Sequence, residues 1–365
     1  MLLRSYCTVA IAAVAAMAAT SPLLVATEQS SSSVRGRGRG TAALDVEDAA
    51  AASATKQQHR VLAGTTGRYL VQVIEYAEDA FQLADPEPAI FNRRLRELQG
   101  NSGNRGPPSE TGPKKKNAFE LANGNILEVE GLTKEDEESL SSGDLIILPA
   151  ESTVSGNKIN VHGKQVGRPP NAGNRQGRKL ATLTGDKTVV GVKVMTSCNE
   201  GYNGTEADLS SNIFDDAVNL ATQYKACSHN KLNIIKPQNR SSGGLSISNG
   251  VLTVTVNSCK AAGDVTLRNE VTNAINAAFG VTTPTQIADH FMFCLPDGAM
   301  SGIAYAFLNS WMSVYSDKWC NYVSAQLHEV GHNLNFGHAN EGTTEYGDQV
   351  SHRHRTTFID DDSSR

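Results

Sequence analysis

The most constraining feature of the sequence is a histidine-rich motif within residues 326–338. It contains His328, Glu329 and His332, and a third histidine, His338, follows six residues later. On a helix with 100° per residue, His328 and His332 lie about 40° apart, one turn above the other. Two imidazoles so placed can reach one metal ion at about 2.0–2.1 Å. A structural helix with incidental histidines is the alternative, and the third histidine at this spacing favours a metal site.

The helix that carries the motif must end before His338. A continued helix would place the third ring about a turn and a half further along the axis, too far to share the ion. Asn335 and Gly337 both tolerate positive φ, so the chain is predicted to turn back at this point. A separate apolar stripe predicts that another side of the helix is buried, and it consists of Val323, Leu327, Val330 and Leu334.

This residue set predicts the chemistry of a hydrolytic zinc site. Three neutral imidazoles and one water make a tetrahedral site with an open position, and zinc lowers the pKa of that water towards about 7. We therefore predict that His328, His332 and His338 hold Zn²⁺, although copper and nickel also bind imidazole. Glu329 is predicted to act as the general base that takes the proton of the water.

The motif and the residues before it resemble a known family. The spacing is that of the metzincins, H-E-x-x-H-x-x-G-x-x-H, with Asn335 where that pattern has glycine. Residues 304–320 and 322–328 resemble the gametolysin/autolysin zinc peptidases of green algae and their relatives in diatoms, and the similarity covers about residues 182–349. The resemblance implies a secreted endopeptidase with a protein substrate, and green-algal members cut cell-wall glycoproteins.

The pattern from residue 182 onward predicts an α/β (α+β) domain. The resemblance implies that this is a metzincin-like zinc peptidase domain with a mixed sheet and an active-site helix. Predicted strands cover residues 188–195, 232–235, 245–256, 290–295 and 303–308. Predicted helices cover residues 213–224 with Asn212 as cap, 265–279 and 323–334. His229 and His290 lie outside the motif and are assigned to surface or core packing.

The N-terminal half is predicted to be a signal peptide and a propeptide. Its segments are a signal peptide at 1–26, a largely disordered or helical pro-region at 27–117, a small β module at 118–162, and a basic linker with a processing site at 163–181. The pro-region includes a partly helical pattern over 69–98 that is broken at Pro86 and Pro88, and the β module includes an Asn123-Gly124 hairpin. A stable accessory domain is the alternative to a propeptide. Because residues 8–197 contain no cysteine, a cysteine switch is excluded and any latency is predicted to be steric.

The C-terminal end departs from the family pattern. Gametolysin relatives have a methionine soon after a stretch like residues 346–349, whereas all six methionines here precede His338. We therefore predict that the catalytic domain, residues 182–349, is incomplete or C-terminally truncated, and that residues 350–365 form a disordered tail. A catalytically inactive secreted protein that binds zinc or mediates adhesion is the alternative function.

Charge and cysteine content bear on location and partners. A net charge of −5 with 19% charged residues argues against a nucleic-acid partner, and no segment after the signal approaches a transmembrane length. Five cysteines follow the signal, which predicts two disulfides and one remaining thiol in an oxidising compartment. Asn203 and Asn239 begin glycosylation tripeptides, which also fit a secreted, extracellular protein.

Overall fold

The computed structural model describes residues 60–61, 64–76, 114–170 and 183–338. The predicted signal peptide, residues 346–349 and the C-terminal tail lie outside these residues. The strands are β1 Arg60–Val61, β2 Thr66–Glu75, β3 Lys114–Glu120, β4 Ile126–Glu130, β5 Leu145–Ile147, β6 Thr153–Ser155, β7 Lys158–Asn160, β8 Gly185–Thr196, β9 Leu232–Ile235, β10 Arg240–Ser242, β11 Leu245–Ser248, β12 Val251–Val256, β13 His290–Leu295, β14 Ala304–Phe307 and β15 Met312–Ser316. The α-helices are α1 Lys134–Ser139, α2 Glu206–Ser210, α3 Leu220–Cys227, α4 Asp264–Phe279 and α5 Val323–Asn333.

These strands form one large mixed sheet. Its main path runs β1-β6-β7-β4-β3-β2-β14-β15-β13-β8-β12-β11-β10, with β5 beside β2 and β9 beside β8. Strand β8 is parallel to β12 and β13, and β13 is parallel to β15, whereas β14 is antiparallel to β15. The mixed α/β architecture agrees with the predicted class, while a detailed metzincin arrangement stays a prediction.

The sheet continues across the predicted boundary between the propeptide and the catalytic domain. Strand β2 pairs with β3 along one side, and with β5 and then β14 along the other. The predicted hairpin at Asn123-Gly124 is present, because β3 and β4 are antiparallel neighbours joined by that turn. The described residues from Arg60 onward form one compact unit.

The helical prediction over residues 69–98 is wrong for Tyr69–Glu75, which belong to β2; residues 77–98 lie outside the described part of the chain. Tyr69, Leu70, Val73 and Ile74 satisfy a helical spacing, yet they are buried in a strand. Pairing on both edges with β3 and β14 outweighs the local pattern, as tertiary context commonly does.

The single helix predicted over residues 213–224 is also wrong. Helix α2 ends at Ser210, a π-helical turn covers Ser211–Asp215, and α3 begins only at Leu220. The cap of α3 is Asn219, whose side chain accepts a hydrogen bond from the backbone N–H of Thr222. A new N-cap at this position starts a separate helix, which the apolar spacing alone did not indicate.

Two apolar clusters cover the two faces of the sheet at β8 and β13. Helix α4 packs on one face through Leu267, Val271 and Ile275, and its bounds agree with the predicted helix. Helix α5 packs on the other face, where Val330 and Leu334 are buried and Leu327 is partly buried against the same cluster. The apolar stripe predicted for α5 therefore faces the sheet, with Val323 only half-buried at its start.

The cysteine prediction is confirmed in number. Disulfides join Cys198 to Cys259 and Cys294 to Cys320, and Cys227 is an exposed thiol. The second bridge ties β13 to the segment immediately before α5, 26 residues later. It therefore supports the position of the helix that carries the histidine motif. Among the described residues, no helix has both the length and the apolar character needed to cross a membrane.

Candidate metal centre

Buried polar side chains form hydrogen bonds between helix α5 and the neighbouring elements. The Nδ2 atom of Asn333 donates to the backbone oxygen of Phe307 in β14 at 3.1 Å and to that of Met312 in β15 at 2.8 Å. At the other end of the helix, Gln326 Nε2 donates to Cys320 O at 2.7 Å. The hydroxyl of Tyr224 donates to Leu327 O at 2.8 Å. These bonds fix helix α5 relative to the sheet, to helix α3 and to the segment before α5.

Helix α5 ends in a turn that carries His338 back towards the helix. Asn335 has a φ of 71°, in the left-handed region predicted for it, whereas Gly337 does not have a positive φ. The N–H of Phe336 donates to Gly331 O and the N–H of Asn335 donates to His332 O, both at 2.9 Å. This pair of bonds is a Schellman motif. The sequence predicted a positive φ at Asn335 or Gly337, and of the two only Asn335 has one.

The three predicted histidines meet at their Nε2 atoms. The Nε2 distances are 3.2 Å from His328 to His338, 3.1 Å from His332 to His328, and 3.1 Å from His338 to His332. Three nitrogens bound to one tetrahedral ion at 2.0–2.1 Å would lie about 3.3–3.4 Å apart. The observed triangle is close to that size, so these side chains fit a metal ion.

A hydrogen bond prepares His332 to be a ligand. Its Nδ1 lies 2.8 Å from the backbone oxygen of Phe336, which can only accept, so Nδ1 carries the proton. The Nε2 lone pair is then directed at the other two rings. His332 is fully buried, and burial lowers the pKa of its imidazole to about 4, despite an opposing contribution from Glu75. The ring is therefore neutral at physiological pH, as a metal ligand must be.

A glutamate that sequence reasoning did not single out completes the cluster. Oε1 of Glu75, at the end of β2, lies 3.1 Å from Nε2 of His328, 3.9 Å from Nε2 of His332 and 3.0 Å from Nε2 of His338. These four residues form a possible metal-binding group. Burial alone would raise the pKa of Glu75, but its interactions with the neighbouring imidazoles hold it well below its ordinary value. The carboxylate is thus charged and faces the three nitrogens.

Glu329, the predicted general base, is buried next to this cluster. It is 1% exposed, and its Oε2 atom has no hydrogen-bond partner among the described residues. Burial, reinforced by the negative charge of Glu75, raises the pKa of its carboxyl well above the ordinary value. A buried carboxyl with an uncommitted oxygen is chemically suited to exchange a proton.

The site is more enclosed than a cleft open to solvent. The side chains of His328, His332 and His338 are 7%, 0% and 2% exposed, and that of Glu75 is fully buried. The sequence gave no sign that β2 lies against the histidines. The only local signal for Glu75 is a carboxylate at the end of an apolar strand, 253 positions before His328. His290 lies outside the cluster, buried in β13, and His229 is exposed.

Three converging imidazoles on a fixed helix and turn, joined by a carboxylate, could hold a metal ion, and ligand sets of this kind occur in metallopeptidases. Residues 187–355 match the family model described as gametolysin peptidase M11. The family implies a peptidase with a protein substrate and, with the His and Glu cluster, points to a metal. Comparisons with curated proteins and with solved structures gave no match.

Proposed function

We propose that this protein is a secreted zinc metalloendopeptidase that hydrolyses peptide bonds of extracellular or cell-wall glycoproteins. The observation that carries the proposal is the convergence of the Nε2 atoms of His328, His332 and His338 at 3.1–3.2 Å within the family region. Zinc is favoured because all-imidazole ligation with an additional oxygen ligand is typical of its catalytic sites. Secretion is supported by the N-terminal apolar run and by two disulfides, which persist in oxidising compartments.

Different residues of the chain have different roles in the proposed hydrolysis. The three histidines would hold the ion, and zinc bound there would supply Lewis-acid chemistry that polarises the scissile carbonyl and acidifies water. Glu329 takes the proton of the attacking water and delivers it to the leaving amine. Its buried carboxyl, with one oxygen unpartnered among the described residues, is suited to both transfers. The hydrogen bonds from Asn333 to Phe307 and Met312 hold helix α5 on the sheet and so fix the position of Glu329, which lies one turn earlier in the same helix.

The test is a Glu329→Gln variant, which keeps the shape of the side chain and removes the base. We expect stoichiometric zinc in the variant and a loss of peptide hydrolysis of about 10²–10⁴-fold. Because Glu75 lies against the imidazoles and could block the site, Glu329→Gln is made both in the unaltered chain and in the Glu75→Ala variant. Hydrolysis is measured in each, and zinc content is measured by mass spectrometry. Glu130→Gln, an exposed glutamate of β4, is the matched control.

Two outcomes would contradict the proposal. Unchanged hydrolysis in Glu329→Gln would remove the general-base role. Stoichiometric zinc without hydrolysis in either background would favour the alternative function, an inactive zinc-binding protein.

A further inference from the structure

Strand β2 pairs with β14, the outermost strand of the part of the sheet that lies within the family region. Within the family region, β14 pairs with β15 on one side, and β2 pairs antiparallel with it on the other. The register sets Glu75 opposite Ala304 and Gln72 opposite Phe307. Without β2, the N–H and C=O groups along this edge of β14 would lack strand partners, and such an edge binds extended peptides by strand addition. Strand β2 therefore takes a place suited to a peptide substrate.

The same strand brings its carboxylate to the three imidazoles. Oε1 of Glu75 lies 3.0–3.9 Å from the three Nε2 atoms and forms the fourth corner of a tetrahedron with them. A tetrahedral zinc site in a peptidase has three protein ligands and one position for water or substrate. Glu75 comes from a segment that precedes the family region, so the fourth corner is filled from outside the peptidase domain itself.

Several contacts fix the register that places Glu75 there. The N–H of Ile303 donates to Glu75 O, and the N–H of Leu308 donates to Val71 O, both at 2.9 Å. Gly302 permits the close approach, because a Cβ at this position would lie 2.6 Å from Glu75 O. Further along β2, Arg68 donates to the backbone oxygen of Asn309 at 2.7 Å. A shift of the strand by one residue would turn the carboxylate to the other face of the sheet.

We propose that β2 is a built-in, substrate-like occupant of the peptide-binding edge, and that Glu75 is a fourth ligand which keeps the metal from external ligands. The proposal rests on the proposed function, since it assigns Glu75 to the same metal. This arrangement would keep the enzyme latent, although the propeptide contains no cysteine. The sequence predicted only steric latency, and Glu75 would block the metal in addition as a ligand. A substrate reaches the metal only after β2 and its carboxylate are displaced.

The experiment compares the full-length unaltered chain with Glu75→Ala and with the control Glu130→Gln, all loaded with Co²⁺. The visible absorption of cobalt reports its ligands, and acetohydroxamate serves as a small external ligand. We expect the unaltered chain and the control to keep their spectra when acetohydroxamate is added. The spectrum of Glu75→Ala should differ from theirs at the outset and change further with acetohydroxamate. Loss of zinc to a chelator should be at least about tenfold faster in Glu75→Ala.

Each outcome separates the inference from the proposed function. If the unaltered chain binds no stoichiometric cobalt or zinc, the metal site and the proposed function fail together. If it binds metal, but folded Glu75→Ala matches the unaltered chain in spectrum, acetohydroxamate response and chelation rate, only the role of Glu75 is overturned. Circular dichroism monitors folding. Should Glu75→Ala fail to fold, the near-isosteric Glu75→Gln is judged by the same three measurements.

Discussion

At the scale of single residues, His290 shows how burial changes the pKa of a titratable group. Its side chain is buried at the start of β13, and burial lowers the pKa of the imidazole to about 4; nearby Asp289 opposes this shift and Lys187 adds to it. The ordinary value in an unfolded chain is about 6.5. The folded protein therefore keeps this ring neutral at pH values where the unfolded chain has already bound a proton.

We predict that His290 makes folding pH-dependent between about pH 6.5 and 4. Its contribution to stability is complete above the unfolded pKa and is lost as the pH falls, because only the unfolded state gains the proton. Between pH 7 and pH 5 the free energy of unfolding should decrease less in His290→Leu than in the unaltered protein, by about 2 kcal/mol. Chemical denaturation at both pH values measures this, with exposed His229→Gln as control. Equal falls in the unaltered protein and His290→Leu would exclude the effect.

At the scale of elements, the turn after α5 decides whether the third histidine joins the other two. Two hydrogen bonds, from Asn335 and Phe336 back to the last turn of the helix, define the turn, and only Asn335 in it has positive φ. The sequence predicted the end of the helix correctly. It did not separate the roles of Asn335 and Gly337, because both residue types tolerate positive φ.

We predict different effects of substitution at these two positions. Asn335→Ala should destabilise the protein by about 1–2 kcal/mol and weaken zinc binding, since alanine disfavours the left-handed region and His338 depends on the turn. Asn335→Gly should retain zinc affinity. Gly337→Ala should be nearly neutral, because a Cβ there meets no atom within 4 Å. Thermal unfolding and zinc competition titrations test the set; equal losses in both alanine variants would refute the assignment.

At the scale of the whole molecule, the N-terminal strands share a core with the peptidase strands. Leu70 and Ile74 of β2 lie in the same apolar cluster as Phe307 and Trp311. The indole N–H of Trp311 also donates to Glu120 Oε1 of β3 at 2.6 Å. A cut in the connecting linker removes none of these contacts.

We therefore predict that cleavage between Arg178 and Lys179, through an inserted site for a specific protease, leaves both fragments associated. They should co-elute in native size-exclusion chromatography and separate only in denaturant, because burial of the shared apolar cluster and the β2–β14 ladder persist. Spontaneous separation in native buffer would contradict the prediction. If the fragments remain together, activation requires degradation or displacement of the N-terminal fragment in addition to the cut.

The sequence by itself determined the local parts of this protein. The spacing of His328, Glu329 and His332, the end of helix α5 before His338, the limits of α4 and the number of disulfides follow from periodicity, turn chemistry and composition over short stretches. Such features depend on neighbours within a few positions, so one sequence is sufficient to predict them.

The tertiary structure alone decided what lies against those histidines. Glu75 and His328 are 253 positions apart, and they meet because β2 adds to the edge of β14 instead of forming the helix that its apolar spacing suggested. Strand pairing over such distances depends on which edges and faces remain after the rest of the chain has folded, and no local pattern encodes it. The enclosure of the metal centre is therefore a property of the assembled sheet.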